Sequence, residues 1–188
     1  MTEAEMKWVV VLLAVLAAFS PGPARASDAP EAYVTGIQLA KEGRYQEALA
    51  LLQQVAREHP RYPGLNYNMG NLLFRLAEYS EAEKAYKRAI RDDPGDVDAH
   101  YNLAMTYSLL DEMGKALETL QEVVRIRPDD GEAHYRLAMG YFSLRDWERS
   151  SFHLQKAKAA GYPVPRDLEK ALGANLPSPA GSGKAPTR

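Results

Sequence analysis

The side chains with the most recognisable chemistry in this sequence are tyrosines that recur at a fixed spacing. They are 34 residues apart, at Tyr33, Tyr67, Tyr101 and Tyr135. Tyrosine offers a large contact area at a low entropic cost, and methionine adapts to varied partners, so columns of such residues suit non-covalent recognition. The residues that we select from these and the neighbouring columns as a candidate partner-binding set are Tyr67, Asn71, Phe74, Tyr101, Asn102, Met105, Tyr135 and Arg136.

Catalytic and metal-binding patterns are absent from the sequence. It has no cysteine, no phosphate-binding loop, no Gly-x-Ser-x-Gly motif and no paired catalytic carboxylates. His100 and His134 are one repeat apart, so they should lie on successive helices instead of converging on a zinc ion, and we interpret both as structural. The acidic run from Asp92 to Asp98 lacks the spacing of a calcium loop, and helix capping explains it better. We therefore expect no enzymatic activity, no metal site and no cofactor.

The elements that position these side chains follow from the same period of 34 residues. Three further columns keep this step: prolines at Pro60, Pro94 and Pro128, small residues at Ala48, Ala82, Ala116 and Ser150, and small residues at Gly36, Gly70, Ala104 and Ala138. Each unit contains two segments of about 14 residues with helical apolar spacing, separated by a short break. Repeats of this length form stacked arrays, and the small columns indicate where two helices approach closely.

In these columns the chain resembles the tetratricopeptide repeat family. The second unit has that family's signature residues at Gly70, Leu73, Tyr79, Ala82, Tyr86, Ala89 and Pro94. The tryptophan often found early in the first helix is replaced by Ala32, Asn66, His100 and His134. The resemblance implies an all-α fold, an α-α superhelix (solenoid) of four helix-turn-helix repeats at 29–62, 63–96, 97–130 and 131–164. It also implies that the first helix of each unit lines a concave groove that binds a peptide or a partner helix.

Some members of this family hold a C-terminal carboxylate with two asparagines and basic residues. Asn71, Asn102 and Arg136 fall on three of those positions, whereas Tyr67 and Glu132 occupy the two lysine positions. The loss of two cations and the gain of one anion should weaken the capture of a carboxylate, which favours a hydrophobic or mixed peptide. Tyrosine followed by asparagine is also frequent in generic repeats, so a purely structural role for these columns is the alternative.

The two ends of the chain differ in composition from the repeats. An apolar run of 12 residues from Trp8 to Phe19, followed by a small-x-small site at Ala24–Ala26, predicts a signal peptide over 1–26. An uncleaved anchor is the alternative, but the run is shorter than the roughly 20 residues that a membrane helix needs. After the fourth unit, 165–172 is predicted to form a capping helix and 173–188 a disordered tail rich in proline, glycine and serine.

The composition narrows the class of function. The formal net charge is -2, which gives no reason to expect nucleic acid as a partner, and no stable membrane span is expected after cleavage. We expect an exported bacterial protein, periplasmic or secreted, that acts as a non-enzymatic scaffold or adaptor of the cell envelope and binds a protein or peptide in its groove. The alternatives are a self-assembling structural protein that stacks weakly through its terminal repeats, and an enzyme, for which no convergent polar site is found.

Overall fold

The computed structural model describes residues 30–176, which contain nine α-helices and no β-strand. In chain order the helices are α1 (Glu31–Lys41), α2 (Tyr45–Glu58), α3 (Leu65–Arg75), α4 (Tyr79–Asp92), α5 (Val97–Leu109), α6 (Met113–Ile126), α7 (Gly131–Ser143), α8 (Trp147–Ala159) and α9 (Arg166–Asn175). The predicted signal peptide and residues 177–188 of the predicted tail lie outside the described residues. No helix within 30–176 is both long enough and apolar enough to cross a membrane.

The first eight helices form four hairpins that stack in sequence order. The most extensive contacts are those between the two helices of each hairpin, and the second helix of one hairpin also packs on the first helix of the next. The predicted all-α solenoid of helix-turn-helix repeats is therefore confirmed. Because a single hairpin cannot bury its apolar face alone, the stability of the array depends on contacts between neighbouring hairpins.

The turn inside each hairpin contains one residue with a left-handed backbone. Gly43 has a φ of 80°, and the residues at the same repeat position, Ala77, Asp111 and Arg145, have φ values of 59°, 60° and 58°. Residues with a Cβ atom disfavour this region, so the packing of the flanking helices must hold these three turns in place. The sequence shows a glycine only in the first turn, and of the other three residues only Asp111 is of a type that tolerates this conformation.

Small residues lie where the two helices of a hairpin meet. A Cβ atom at Gly70 would be 2.6 Å from Cε1 of Tyr86, a separation at which one of the two groups must move. Ala82 is fully buried, and so is Ser150 in the same repeat column. The Oγ of Ser150 donates a hydrogen bond of 2.7 Å to the carbonyl oxygen of Ala138, so the one polar member of this column is satisfied inside the core. The interpretation of these columns as positions of close approach is confirmed.

Aspartates cap the N-termini of the third and fourth hairpins. Oδ1 of Asp96 accepts a hydrogen bond of 2.9 Å from the N–H of Ala99 at the start of α5. Oδ1 of Asp130 accepts the equivalent bond, also 2.9 Å, from the N–H of Ala133 at the start of α7. These bonds satisfy N–H groups that have no partner within the helix. The helix capping predicted for the acidic run from Asp92 to Asp98 is confirmed at Asp96.

The last helix, α9, packs against the end of the array. Leu172 is buried in a cluster with Ala138 of α7 and Leu154 of α8. The helix extends to Asn175, past the end that the sequence predicts at Leu172. The side-chain amide of Asn175 donates a hydrogen bond of 2.7 Å to the carbonyl oxygen of Ala171, which satisfies an acceptor of the last turn.

Candidate binding groove

The eight predicted binding residues all lie on the first helices of the second, third and fourth hairpins. They are Tyr67, Asn71 and Phe74 on α3, Tyr101, Asn102 and Met105 on α5, and Tyr135 and Arg136 on α7. Some of them contact side chains of a neighbouring helix and some line an open cavity. Tyr101 and Asn71 do both.

Three of these residues join the second hairpin to the third. Nδ2 of Asn102 donates a hydrogen bond of 2.9 Å to Oδ1 of Asn71 and lies 3.4 Å from the hydroxyl oxygen of Tyr67. The same Oδ1 of Asn71 accepts a hydrogen bond of 2.8 Å from the hydroxyl of Tyr86 on α4. Tyr67, Asn71 and Asn102 therefore contribute to the contact between repeats. A structural role of this kind is the alternative to partner binding for the tyrosine and asparagine columns.

Tyr101 joins the third hairpin to the fourth. Its half-buried hydroxyl donates a hydrogen bond of 2.5 Å to Oδ1 of Asp130, the oxygen that also caps α7. Burial, followed by the bond to this carboxylate, raises the pKa of the Tyr101 hydroxyl well above its usual value. The guanidinium of Arg136 lies 5.5 Å from the centre of the Tyr101 ring. The ring thus has one side in the groove and its hydroxyl in the contact between hairpins.

We expect Tyr101→Phe to lower the free energy of unfolding by about 1.5 kcal/mol, because it removes a hydrogen bond to a partly buried charged group. The matched control is Tyr135→Phe, since the ring of Tyr135 stacks on Tyr162 and its hydroxyl has no hydrogen-bond partner in the described part of the chain. Urea denaturation followed by circular dichroism measures both. Equal losses for the two variants would show that the bond to Asp130 does not stabilise the fold.

The residues at the carboxylate-binding positions of related repeats form hydrogen bonds with other side chains of this protein. The guanidinium of Arg136 donates hydrogen bonds of 2.6 and 3.0 Å to Oε1 of Glu132, one turn earlier on α7. The two asparagines of that set, Asn71 and Asn102, are bonded to each other. Phe74, the remaining predicted residue of α3, packs edge-to-face on Tyr79 with ring centres 5.4 Å apart. These contacts leave little at the usual positions to receive a carboxylate.

An apolar cavity of about 450 Å³ is lined mainly by α5, α6 and α7, and we call it the methionine cavity. Its most exposed apolar lining residues are Met105 and Met139, which are 37% and 41% exposed. The lining residues are Tyr101, Ala104, Met105, Ser108, Met113, Ala116, Leu117, Leu120, Tyr135, Arg136, Met139, Gly140, Ser143 and Tyr162. Of the eight predicted residues, the cavity brings together Tyr101, Met105, Tyr135 and Arg136. Met139 lies one repeat after Met105 in the same column but was not included in the predicted set.

A second cavity, of about 270 Å³, lies between α1 and α3, and we call it the cationic cavity. Its lining residues are Ile37, Ala40, Lys41, Tyr45, Asn68, Asn71, Leu72 and Arg75. Only Asn71 among them belongs to the predicted set. Lys41 and Arg75 were missed because each ends a first helix, where a cation is expected for its favourable interaction with the helix dipole.

The histidines in the tryptophan positions have a structural role. Nε2 of His100 lies 3.2 Å from the carbonyl oxygen of Pro94, and Nε2 of His134 lies 3.0 Å from that of Pro128. Nδ1 of His134 is also 2.9 Å from Nδ1 of His153 on α8, a pairing that the sequence does not suggest. Burial, with a smaller contribution from His134, lowers the pKa of His153 to about 4. Within 30–176 no three potential metal ligands form a group.

Comparisons with known proteins agree with this geometry. The sequence profile of the tetratricopeptide repeat family matches residues 39–100 and 77–139, which together cover more than half of the chain. A search of curated proteins finds no match. The chain is similar in structure to MamA from Desulfovibrio magneticus RS-1, with a TM-score of 0.62 and 24% identity over 74% of this chain and 75% of that one. It is similar to MamA from AMB-1, with a TM-score of 0.66 and 19% identity over 89% and 91%.

A third similar structure contains a bound peptide. It is the first tetratricopeptide domain of Spaghetti (RPAP3) bound to the HSP90 peptide SRMEEVD, with a TM-score of 0.56 and 22% identity over 60% of this chain and 90% of that one. At these identities the likenesses to solved structures establish a shared fold. Together with the profile match and the four stacked hairpins, they show that the chain belongs to the tetratricopeptide repeat family. Proteins of this fold are typically non-enzymatic interaction scaffolds.

Proposed function

We propose that this protein is a non-enzymatic interaction scaffold of the bacterial cell envelope that binds a peptide or a partner helix in its concave groove. The observation that carries the proposal is the methionine cavity, an apolar hollow open to solvent on the first helices of the third and fourth hairpins. Its volume of about 450 Å³ lies within the usual range of ligand pockets and has room for apolar side chains of a partner.

The chemistry of the lining supports a polypeptide ligand. Met105 and Met139 offer flexible, polarisable side chains that can adapt to different apolar residues. Tyr135 and Ser108 add polar groups to the lining, a combination suited to a peptide or amphipathic helix laid into a groove. The RPAP3 domain, bound to a short HSP90 peptide, is an example of this fold with a peptide ligand.

The envelope location rests on the sequence alone. Residues 1–26 have the layout of a cleaved signal peptide, and a chain without cysteine has no disulfide to form in an oxidising compartment. We infer a periplasmic or secreted protein from this layout. The partner would then be another protein of the envelope or an exposed segment of one.

A photo-crosslinking amino acid at position 105 tests the proposal in cells that express the protein. We expect it to trap a discrete partner, because Met105 lies in the methionine cavity with its side chain partly exposed. Position 88 on α4 is the control, since Arg88 is exposed on the second helix of its hairpin. Introducing Met139→Glu should abolish trapping at position 105 by placing a charge in the apolar cavity. Equal trapping, or none, at positions 105 and 88 would contradict binding in the groove.

Self-assembly through the terminal repeats is the second candidate. Val34 on α1 is 57% exposed, and within residues 30–176 no hairpin precedes α1 to cover it. The other end differs, because α9 packs on α8. Light scattering across a wide concentration range distinguishes the candidates. A constant monomer mass excludes stacking. A mass that grows with concentration in the unmodified protein but stays constant in the Val34→Asp variant supports stacking.

A further inference from the structure

The methionine cavity and the cationic cavity occupy equivalent places in the array. Ile37 and Met105, one in each lining, are 68 residues apart, twice the repeat of 34. Every lining residue of the cationic cavity except Lys41 has its equivalent in the lining of the methionine cavity. The two cavities are therefore the same structural pocket, formed once by the first and second hairpins and once by the third and fourth.

The two pockets differ in chemistry at equivalent lining positions. Where the methionine cavity has Met139 and Ser143, the cationic cavity has Asn71 and Arg75. The residue equivalent to Lys41 is Leu109, which is exposed. One pocket is therefore suited to an apolar side chain, and the other has two cations and an amide.

The cations of the second pocket have no acidic partner within residues 30–176. No aspartate or glutamate lines the cationic cavity, and neither Lys41 nor Arg75 forms an ion pair among residues 30–176. The acidic residue next to Lys41, Glu42, is held elsewhere: it accepts a hydrogen bond of 3.0 Å from Gln38 and lies 3.6 Å from Arg44. In the methionine cavity, by contrast, the one cation is Arg136, which is bonded to Glu132.

Asn71 adds a hydrogen-bond donor to the same pocket. Its Oδ1 accepts two hydrogen bonds, from Tyr86 and from Asn102, so the oxygen of this amide is already engaged. Nδ2 of Asn71 then donates to no group in the described part of the chain. A pocket with two unpaired cations, a free amide donor and no acidic side chain is complementary to an anionic oxygen group such as a carboxylate.

We propose that the cationic cavity binds an aspartate or glutamate side chain of the same peptide whose apolar residue enters the methionine cavity. This inference rests on the proposed function. It adds a second subsite to the groove, and it requires a negatively charged side chain in the ligand. The residues that receive the carboxylate are Lys41, Arg75 and Asn71. Lys41 and Arg75 lie outside the family's carboxylate positions, where Tyr67 and Glu132 replace the cations, whereas Asn71 belongs to that set.

The distance between the pockets sets the spacing of the two residues in the ligand. Packed helices lie about 8–10 Å apart, so two repeat steps between neighbouring first helices separate the pockets by roughly 20 Å. An extended peptide spans about 3.3 Å per residue, which places the acidic residue about six residues from the apolar one. A ligand of this kind would lie along the groove across all four hairpins.

Fluorescence anisotropy with synthetic peptides of about twelve residues tests the proposal on the full-length chain. Each peptide has one leucine, one glutamate placed about four to eight residues from it on either side, and alanine, serine and glycine elsewhere, and each is compared with its glutamine counterpart. At the matching spacing, we expect the glutamate peptide to bind about fivefold more tightly than the glutamine peptide. The double variant Lys41→Gln, Arg75→Gln should remove this preference and leave the affinity of the glutamine peptide unchanged.

The double variant Arg88→Gln, Arg91→Gln is the matched control, because it removes the same charge from exposed positions on α4. It should keep the preference for glutamate. Equal affinity for glutamate and glutamine at every spacing overturns the acidic subsite and leaves the proposed function standing. A preference that persists without Lys41 and Arg75 also overturns the subsite. If none of the peptides binds, both the acidic subsite and the proposed peptide groove are overturned.

Discussion

Replacing Tyr86 with alanine is expected to lower the free energy of unfolding by about 3–5 kcal/mol, the range for truncating a buried aromatic side chain. The side chain of Tyr86 is 1% exposed, and its ring lies where a Cβ atom of Gly70 would otherwise be. Its hydroxyl donates a hydrogen bond to Asn71, which in turn accepts one from Asn102. The substitution therefore removes a packing contact within the second hairpin and weakens the junction with the third. Chemical denaturation followed by circular dichroism measures the loss.

Two variants separate the causes of this loss. Tyr86→Phe keeps the ring and should cost only about 0.5–1.5 kcal/mol, the usual net value of one hydrogen bond. Phe152→Ala removes an aromatic ring from a side chain that is 54% exposed on α8, and should change stability by about 0.5 kcal/mol or less. A loss for Tyr86→Ala no larger than that for Phe152→Ala would refute the close packing of Tyr86 on Gly70.

The fold could be predicted from the sequence because each hairpin makes the same contacts as the one before it. A position that tolerates only a small residue, such as Ala82, therefore recurs at each step of the repeat. Ser150 is the polar member of that column, and its hydroxyl bonds to a main-chain carbonyl, so the small volume is kept and the polarity is satisfied. The left-handed turns at Ala77 and Arg145 could not be predicted, since neither residue type favours that backbone and helix packing imposes it.

The candidate site was predictable only in part, for a physical reason. The repeat pattern indicates which helices line the groove, but it does not give the distance between side chains of neighbouring hairpins. Tyr101 and Tyr135 are identical in the pattern, whereas one hydroxyl bonds to Asp130 and the other does not. The shape of each cavity likewise depends on the sizes of side chains on two facing helices. Gly140 and Ser143 replace Leu72 and Arg75 of the equivalent pocket, and that difference matters only once the facing helix is known.

Substitutions at residues that bond to a neighbouring hairpin therefore differ in consequence from substitutions at residues that only line a pocket. A substitution at Asn71 or Tyr101 affects stability as well as any binding, because both side chains are bonded to a neighbouring hairpin. Met105, Met139 and Lys41 offer cleaner tests, since all three are exposed at the openings of the pockets. Partner binding by Tyr67, Asn71 and Asn102 stays a prediction. For variants at these positions, the free energy of unfolding has to be measured together with the affinity for the partner.

Replacing Ala82 with leucine is the second substitution expected to have a large effect. Ala82 is fully buried and belongs to the same core cluster as Tyr86, Leu73 and Met69. Leucine adds three carbon atoms where α3 and α4 approach closely, so the helices must separate or the side chains must leave their preferred rotamers. Overpacking of this kind costs about 1–3 kcal/mol. Because the second hairpin has neighbours on both sides, a change in the angle between its helices would also disturb those contacts.

Ala50→Leu is the matched control for this substitution. Ala50 is exposed on α2, so the same change of side chain meets solvent there instead of a facing helix. Its effect on the free energy of unfolding should be within about 0.5 kcal/mol. The comparison isolates packing from helix propensity, which is similar for the two substitutions because both lie within helices. If Ala82→Leu left the denaturation midpoint as unchanged as Ala50→Leu does, α3 and α4 would not be in the register described, and the pockets that depend on that register would have to be placed elsewhere.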